Sequence, residues 1–354
     1  MKKYIYPISF SLVLAAFTLF VVLDTFVISQ PMENVQGQIN NSMFSSSQTK
    51  SEENLKTYKS SDSDKINSGV NRKNADLYTN IANTGGNQSE SSETEYADEK
   101  AYISDKAILT DGAGLIGEYQ NDQASIKLYE YNYESTDVYV ADIFVSSSEY
   151  IKTAFANDYY GKNVTATTSS IAQQNNAILA INGDYYDARE NGYVIRNGVV
   201  YRDSNDGKDI LCVYADGTMK IVNSGDKSAQ ELVNEGVWQA FSFGPALVQN
   251  GQVDVSVNAE VGKAMASNPR TAVGMIDTCH YVFVVSDGRT SDSKGLSLYQ
   301  LATFMQGIGV NTAYNLDGGG SSTLYFNGEV INYPTTSGRS MKERGVSDIV
   351  YIAK

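Results

Sequence analysis

The 354-residue chain is predicted to be an α+β protein. It should have a large mixed or antiparallel β-sheet core with a few packed helices, preceded by one transmembrane helix and a disordered tether. Three observations predict this. Short runs rich in β-branched and aromatic residues, bounded by Gly, Asn and Asp, recur from about residue 106 onward. Helical patterns are few and scattered among those runs. Before residue 106 only one apolar stretch occurs, at the start.

The elements follow in order. Lys2 and Lys3 precede an uncharged stretch from Tyr4 to Leu23, about the twenty residues that a helix needs to span the hydrocarbon core. Residues 1–30 are read as an uncleaved membrane anchor. The lysines place its short N-terminal tail in the cytoplasm and the rest outside the cell. A secreted form, cleaved near Val27-Ile28-Ser29, is the alternative. Residues 31–105 are rich in Ser, Asn, Gln, Glu and Lys without apolar periodicity, so burial there does not offset the entropy of ordering. A flexible coil of roughly 75 residues would span on the order of 45–50 Å.

Residues 106–354 carry the strand-like runs IKLYEYNY, VYVADIFV, AILAING, YVIRNGVVYR, ILCVYADGTMKIV, AFSFGPALVQNG, RTAVGMID, HYVFVVSDG, TAYNLDGG, STLYFNGEVIN and DIVYIAK. VIRNGVV and VYADGTM read as hairpin turns. Helices are expected at SSSEYIKTAFAND, TTSSIAQQNN, SAQELVNEG and GLSLYQLATFMQGIG.

Composition limits the function classes. The net charge of −14 argues against a nucleic-acid partner, because phosphate backbones are bound by basic surfaces. His280 is the single histidine, so zinc sites with two or three histidines are excluded. It opens an apolar run and reads as structural, with a phospho-histidine role as the alternative. No cofactor is called for, although a divalent ion held by Asp and backbone oxygens needs no histidine. Cys212 and Cys279, the only cysteines, read as small buried hydrophobes, with a disulfide left open.

Polar clusters fall at the ends of the apolar runs, where a rigid sheet would hold functional loops. They are Asn182 to Tyr186, Asn268 to Thr271, Ser286 to Arg289, Asn315 to Thr323, and Glu343, Arg344, Ser347 and Asp348. In the fourth, Asp317 precedes Gly318, Gly319 and Gly320. Such a loop can aim several backbone N–H groups at one anion, or be a sharp turn capped by its Asp. Arg270, after a proline at a strand entry, suits bidentate recognition of phosphate or carboxylate, or a structural salt bridge. Arg196, in a hairpin, reads as solvated.

The series INGDYYD, GYVIRNGVVYRD, WQAFSFGPALVQNG, SNPRTAVG, VVSDGR, GLSLYQLATFM, NLDGGGSSTLYFNG and ERGVSDIVYI, over about residues 130–354, resembles the phosphodiester glycosidase family. The resemblance implies hydrolysis of a sugar C1–O–phosphate bond. Phosphate is a weak base and needs charge neutralisation more than protonation. Arg270 and the N–H groups of Gly318 to Gly320 are expected to supply it. Asp317, or else Asp184, would face the anomeric carbon as nucleophile or base. Asn182, Asn315, Asp287 and Ser321 would hold sugar hydroxyls or support the site. Arg344, Glu343 and Asp348 would back them, with Asn268, Thr271 and Arg196 completing the substrate-binding set. The expected partner is an anionic glycan or sugar-phosphate polymer of the envelope or an exopolysaccharide. Two rivals are a non-catalytic glycan-binding or assembly module and a phosphodiesterase that cuts P–O.

Overall fold

The computed structural model describes residues 2–32, 44, 112–260 and 267–354. Helix α1 (Lys2–Phe26) forms where the apolar stretch predicts it. No helix among the described residues is long and apolar enough to cross a membrane. The tether expected over 31–105 lies outside the described residues, apart from Pro31, Met32 and Phe44. Where it begins, Gln30–Pro31 pairs antiparallel with Gly161–Lys162, and Met32 donates its backbone N–H to the Tyr160 carbonyl. The chain is thus pinned to the folded part directly after α1.

Three sheets carry the rest. The largest has eight strands in the spatial order Gln252–Val253, Ala246–Gln249, Thr312–Asn315, Arg270–Asp277, His280–Ser286, Thr136–Val145, Ala124–Tyr133 and Gly114–Gln120. A second runs Glu329–Val330, Leu324–Phe326, Ala177–Asn182, Asp348–Ala353 and Lys152–Phe155. A third runs Met219–Asn223, Asp209–Tyr214, Val237–Phe241, Gly192–Arg196 and Val199–Ser204. The ladders between these strands are antiparallel. Of the two sheet types expected, the antiparallel one is present.

Both faces of the large sheet are covered, which is why its strands read as nearly continuous apolar runs. Along His280–Ser286, side chains alternate between faces. Tyr281, Phe283 and Val285 join one core with Leu179, Ile181, Phe241, Leu324 and Val350 of the other two sheets. Val282 and Val284 join a second core with Leu298, Leu301, Phe304 and Met305. The last four belong to α4 (Leu298–Gly307), which Ser297 and Gln300 open with a capping box. Burying each large apolar side chain contributes roughly 1.5–3 kcal/mol. Two shorter helices, α2 (Thr168–Gln174) and α3 (Ala229–Asn234), cover the outer faces of the second and third sheets.

One expected helix is absent. SSSEYIKTAFAND forms two 3₁₀ turns around the strand Lys152–Phe155, which pairs with Asp348–Tyr351. Asn157 and Asp158 take positive φ, which ends any helix there, and Asn197 Oδ1 accepts the Thr153 N–H. The two predicted hairpins form, Asn197 and Gly198 both having positive φ as a type I′ turn requires.

The antiparallel registers bring the polar clusters together. Arg270 pairs with Ser286, Ala272 with Asn315, Ile349 with Asn182 and Ile181 with Leu324. Strands entering and leaving at these residues therefore share one rim. His280 lies at the far end of its strand, with Nε2 2.6 Å from Asp142 Oδ1 and its ring stacked on Phe144. It is structural. Cys212 and Cys279 are both buried, and no disulfide joins them.

Candidate active site

At the rim, the strand Thr312–Asn315 runs into Asp317 and a 3₁₀ turn at Gly319–Ser321. The glycines are needed because the protein's own groups press on the loop. A Cβ on Gly318 would lie 3.0 Å from the Pro269 carbonyl oxygen, and one on Gly320 2.5 Å from Thr336 Oγ1. Gly319 has φ +64°, and a Cβ there would lie 2.8 Å from Arg289 Nη2. The expected nest of N–H groups is only partly available. Gly319 N–H is donated to the Pro269 carbonyl at 2.8 Å, and Gly318 N–H to the Asp317 carboxyl. Charge for an anion must come mainly from side chains.

Those side chains are arginines. Arg344, exposed at 43 %, brings Nη2 to 3.5 Å from both Asp317 oxygens. Its Nε and Nη2 also donate to Ser321 Oγ at 3.0 and 2.5 Å. Burial pushes the Asp317 carboxyl above its usual range, against the pull of Arg344, Ser321 and the Gly318 N–H. Asp317 is thus a buried carboxyl with an elevated proton affinity, beside the exposed guanidinium of Arg344. Arg344 is steadied through its neighbour. Glu343 accepts from Ser169 N–H at 3.0 Å and Ser169 Oγ at 2.5 Å, tying this segment to the first turn of α2.

Several predicted substrate ligands instead brace the loop from behind. Asn182, fully buried, donates to the Asp317 carbonyl at 2.7 Å and accepts from Thr271 Oγ1 at 2.8 Å and Thr323 N–H at 3.3 Å. Asn315 donates to the Gly244 carbonyl at 2.8 Å. Asn268 accepts Arg289 Nε and Nη2 at 3.2 and 3.0 Å. Arg270 is buried, with Nε donating to the Leu296 carbonyl at 2.9 Å; burial lowers its pKa to about 10. It underlies the loop, its Cα 3.7 Å from where a Gly318 Cβ would sit.

Asp287 also works from behind. Its Oδ1 accepts from Asn332 Nδ2 at 3.1 Å and Tyr333 N–H at 2.8 Å, while Asn332 donates to the Ser322 carbonyl at 3.0 Å. Burial raises the Asp287 carboxyl to about 6 despite those donors. A carboxyl whose folded pKa is raised favours the fold most below its unfolded pKa, and that advantage is lost as pH climbs through about 6. Asp287→Asn has no such proton to lose. Its unfolding free energy from urea titrations, relative to the native protein, is therefore expected to shift in the variant's favour between pH 4 and 8, by on the order of 3 kcal/mol. A pH-independent difference would remove Asp287 from the titrating groups.

Asp184, the second predicted catalytic carboxylate, is committed elsewhere. Arg196 is not solvated but 1 % exposed, with Nη2 2.7 Å from Asp184 Oδ1 and Nε 2.8 Å from Asp348 Oδ2. It also donates to the Ala240 carbonyl and lies over the Phe241 ring. The other Asp184 oxygen accepts the Ser242 N–H at 3.0 Å. One guanidinium thus serves two buried carboxylates. Burial and the Asp184 charge push the Asp348 carboxyl up to about 7, against Arg196. A Cβ on Gly183 would lie 1.9 Å from Asp348 Oδ1, so glycine is required there too.

Two residues at the rim fall outside the predicted set. Arg289 lies against the glycine loop, donating through Nη1 to the Thr336 carbonyl at 2.7 Å. Tyr185 is 39 % exposed and takes the left-handed conformation, φ +56° and ψ 48°, which is strained for a bulky residue. Asp317 and Arg344 both act on its hydroxyl. Both residues stood inside motifs singled out by sequence, yet nothing in those motifs said which side chains point outward.

The family model for the phosphodiester glycosidase domain matches residues 175–353. The SPbeta prophage-derived uncharacterized protein YomE of Bacillus subtilis (strain 168) is 29 % identical over 184 residues, 50 % of this chain and 28 % of that protein. The N-acetylglucosamine-1-phosphodiester alpha-N-acetylglucosaminidase of Mus musculus is 41 % identical over 66 residues, 19 % of this chain and 13 % of that enzyme. The chain thus spans under a third of the length of these relatives. In fold, it is similar to the zebrafish N-acetylglucosamine-1-phosphodiester alpha-N-acetylglucosaminidase catalytic domain, solved auto-inhibited by its pro-peptide. The TM-score is 0.52 at 21 % identity, over 68 % of this chain and 87 % of that one. A hypothetical protein from Synechocystis gives 0.51 at 13 % identity, over 66 % and 62 %.

Proposed function

The chain belongs to the phosphodiester glycosidase family, and from that premise we propose that it hydrolyses the sugar C1–O bond of sugar-1-phosphodiesters. The observation that carries the reading is the Asp317–Arg344–Ser321 group at the rim, a proton-accepting carboxyl with a guanidinium 3.5 Å away. Arg344 offsets the charge that builds on the departing phosphate. Asp317 faces the anomeric carbon, as nucleophile or as the base that takes a proton from water. In the second case the water oxygen bonds to C1, the C1–O electron pair leaves with the phosphate, and the proton passes to Asp317. Asp184 is assigned to positioning because Arg196 and the Ser242 N–H occupy both its oxygens.

The substrate class proposed is an anionic glycan or sugar-phosphate polymer of the cell envelope or an exopolysaccharide. The protein is proposed to reach it from the outer side of a membrane, held by α1. Support for the anchor comes from Lys2 and Lys3 before the uncharged stretch Tyr4–Leu23, and from the exposure of Phe10, Leu12, Phe17, Leu19 and Phe20. Hydrolysis of a sugar-1-phosphodiester in ¹⁸O-labelled water is the test. Label in the sugar hydroxyl is expected. Label in phosphate would mean P–O cleavage, and binding without release would favour a glycan-binding module. The same assay on separated membrane and soluble fractions tests the anchor, with activity expected in the membrane fraction.

A further inference from the structure

Among the described residues Arg289 is a cation without an acidic partner. Its Nε and Nη2 donate to the Asn268 amide oxygen and its Nη1 to the Thr336 carbonyl, all neutral acceptors. Among the described residues no carboxylate pairs with it. The charged groups close enough to act on it are other guanidiniums, Arg344 and Arg270. The loop is shaped to admit it, since any side chain at Gly319 would collide with Nη2. Guanidiniums near enough to disfavour one another's charge are unfavourable neighbours unless something anionic joins them. Arg344 has Asp317 within reach; Arg289 has no such carboxylate among the described residues. Arg270 has the Glu260 carboxylate acting on it, which leaves Arg289 as the guanidinium of the three with no acid acting on it among the described residues.

We propose that Arg289 is the second phosphate-binding cation of the site, and that with Arg344 it is matched to the dianionic phosphomonoester leaving group in preference to the monoanionic diester. The proposal rests on the hydrolase reading and deepens it. A diester phosphate carries one negative charge. When the C1–O bond breaks, its electron pair stays on the phosphate oxygen, and the monoester carries close to two charges above its second pKa of about 6. An enzyme gains rate only from contacts that strengthen toward the transition state. One guanidinium suffices for the charge already present; a second, left unpaired at rest, is placed for the charge that appears. Its fork is fixed in advance by Asn268 and Thr336, so little ordering is needed when phosphate arrives.

The test uses calorimetric binding of phenyl phosphate and of methyl phenyl phosphate to the full chain. At pH 8 the native protein is expected to bind the monoester at least about tenfold tighter than the diester, and the preference should shrink at pH 5, where the monoester holds its second proton. Arg289→Gln should weaken the monoester about ten- to a hundredfold and the diester several-fold less. Arg289→Lys should keep part of the preference at pH 8 and lose it as the lysine deprotonates above about pH 10, so it carries the test alone if the Gln variant fails to fold. Equal binding of both probes by the native protein would overturn the proposal. So would equal weakening in Arg289→Gln, or a Lys variant with no preference at pH 8. A preference that persists in a protein with no turnover would instead sink the hydrolase reading and leave the dianion site standing.

Discussion

Asp317→Asn leaves a folded protein whose release of sugar from a sugar-1-phosphodiester falls by about 10³-fold, within the range for losing a positioned acid or base. The fold is expected to survive because an amide oxygen can still accept the Gly318 N–H and the Ser321 hydroxyl, and because Asn182 holds the loop by the Asp317 main-chain carbonyl. The amide can neither take a proton nor bond to C1. The loss should fall on kcat, with binding of the phosphomonoester product unchanged or tighter, since a negative charge beside Arg344 has been removed. Product release followed by reducing-sugar assay, with the urea midpoint as a fold control, checks it. Turnover within threefold of the native rate would take Asp317 out of the chemistry.

Arg196→Met is the expected largest loss of stability. Arg196 is fully buried between Asp184 and Asp348, which are themselves 2 % and 0 % exposed. Removing the cation strands two carboxylates in an apolar interior, a change that costs about 3–5 kcal/mol. That is a large share of the roughly 5–15 kcal/mol typical of a domain, so the variant should unfold at a much lower urea concentration than the native protein. Adding Asp184→Asn and Asp348→Asn should recover most of the loss, because the triple variant buries no charge. Urea midpoints at pH 7 read both effects. A single-variant loss under 1 kcal/mol would show that the carboxylates reach water.

Sequence made much of this fold legible because strands buried on both faces leave a plain signal. The run HYVFVVS reads as a strand from either side, and Tyr281 and Val282 do face different cores. The polar clusters were equally plain, and the antiparallel registers gather them at one rim. What periodicity cannot show is side-chain direction inside a cluster. Asn182, Thr271 and Asn268 look like ligands on paper and brace the rim instead: Asn182 donates to the Asp317 carbonyl, the Thr271 hydroxyl donates to Asn182 Oδ1, and Asn268 Oδ1 accepts from Arg289. Arg196 looked solvated because hairpin arginines usually are, and its partners lie 12 and 152 residues away along the chain. Arg289 and Tyr185 owe their placement to positive φ angles, which no composition rule predicts for an arginine or a tyrosine. The glycines before Ser321 fit an anion nest or a tight turn equally on sequence alone; their neighbours are Pro269, Arg289 and Thr336.

The strand Asp348–Ala353 sits in the interior of its sheet, between Ala177–Asn182 and Lys152–Phe155. A ribosome makes those two flanking strands well over 150 residues earlier than their shared neighbour. Until that last piece emerges, a nascent chain displays two open ladder edges with a gap between them, the kind of surface that recruits stray strands. It also holds Arg196 with only one of its two acids. Translation that stalls short of residue 348 should therefore yield a product prone to clumping, and one in which the rim cannot close.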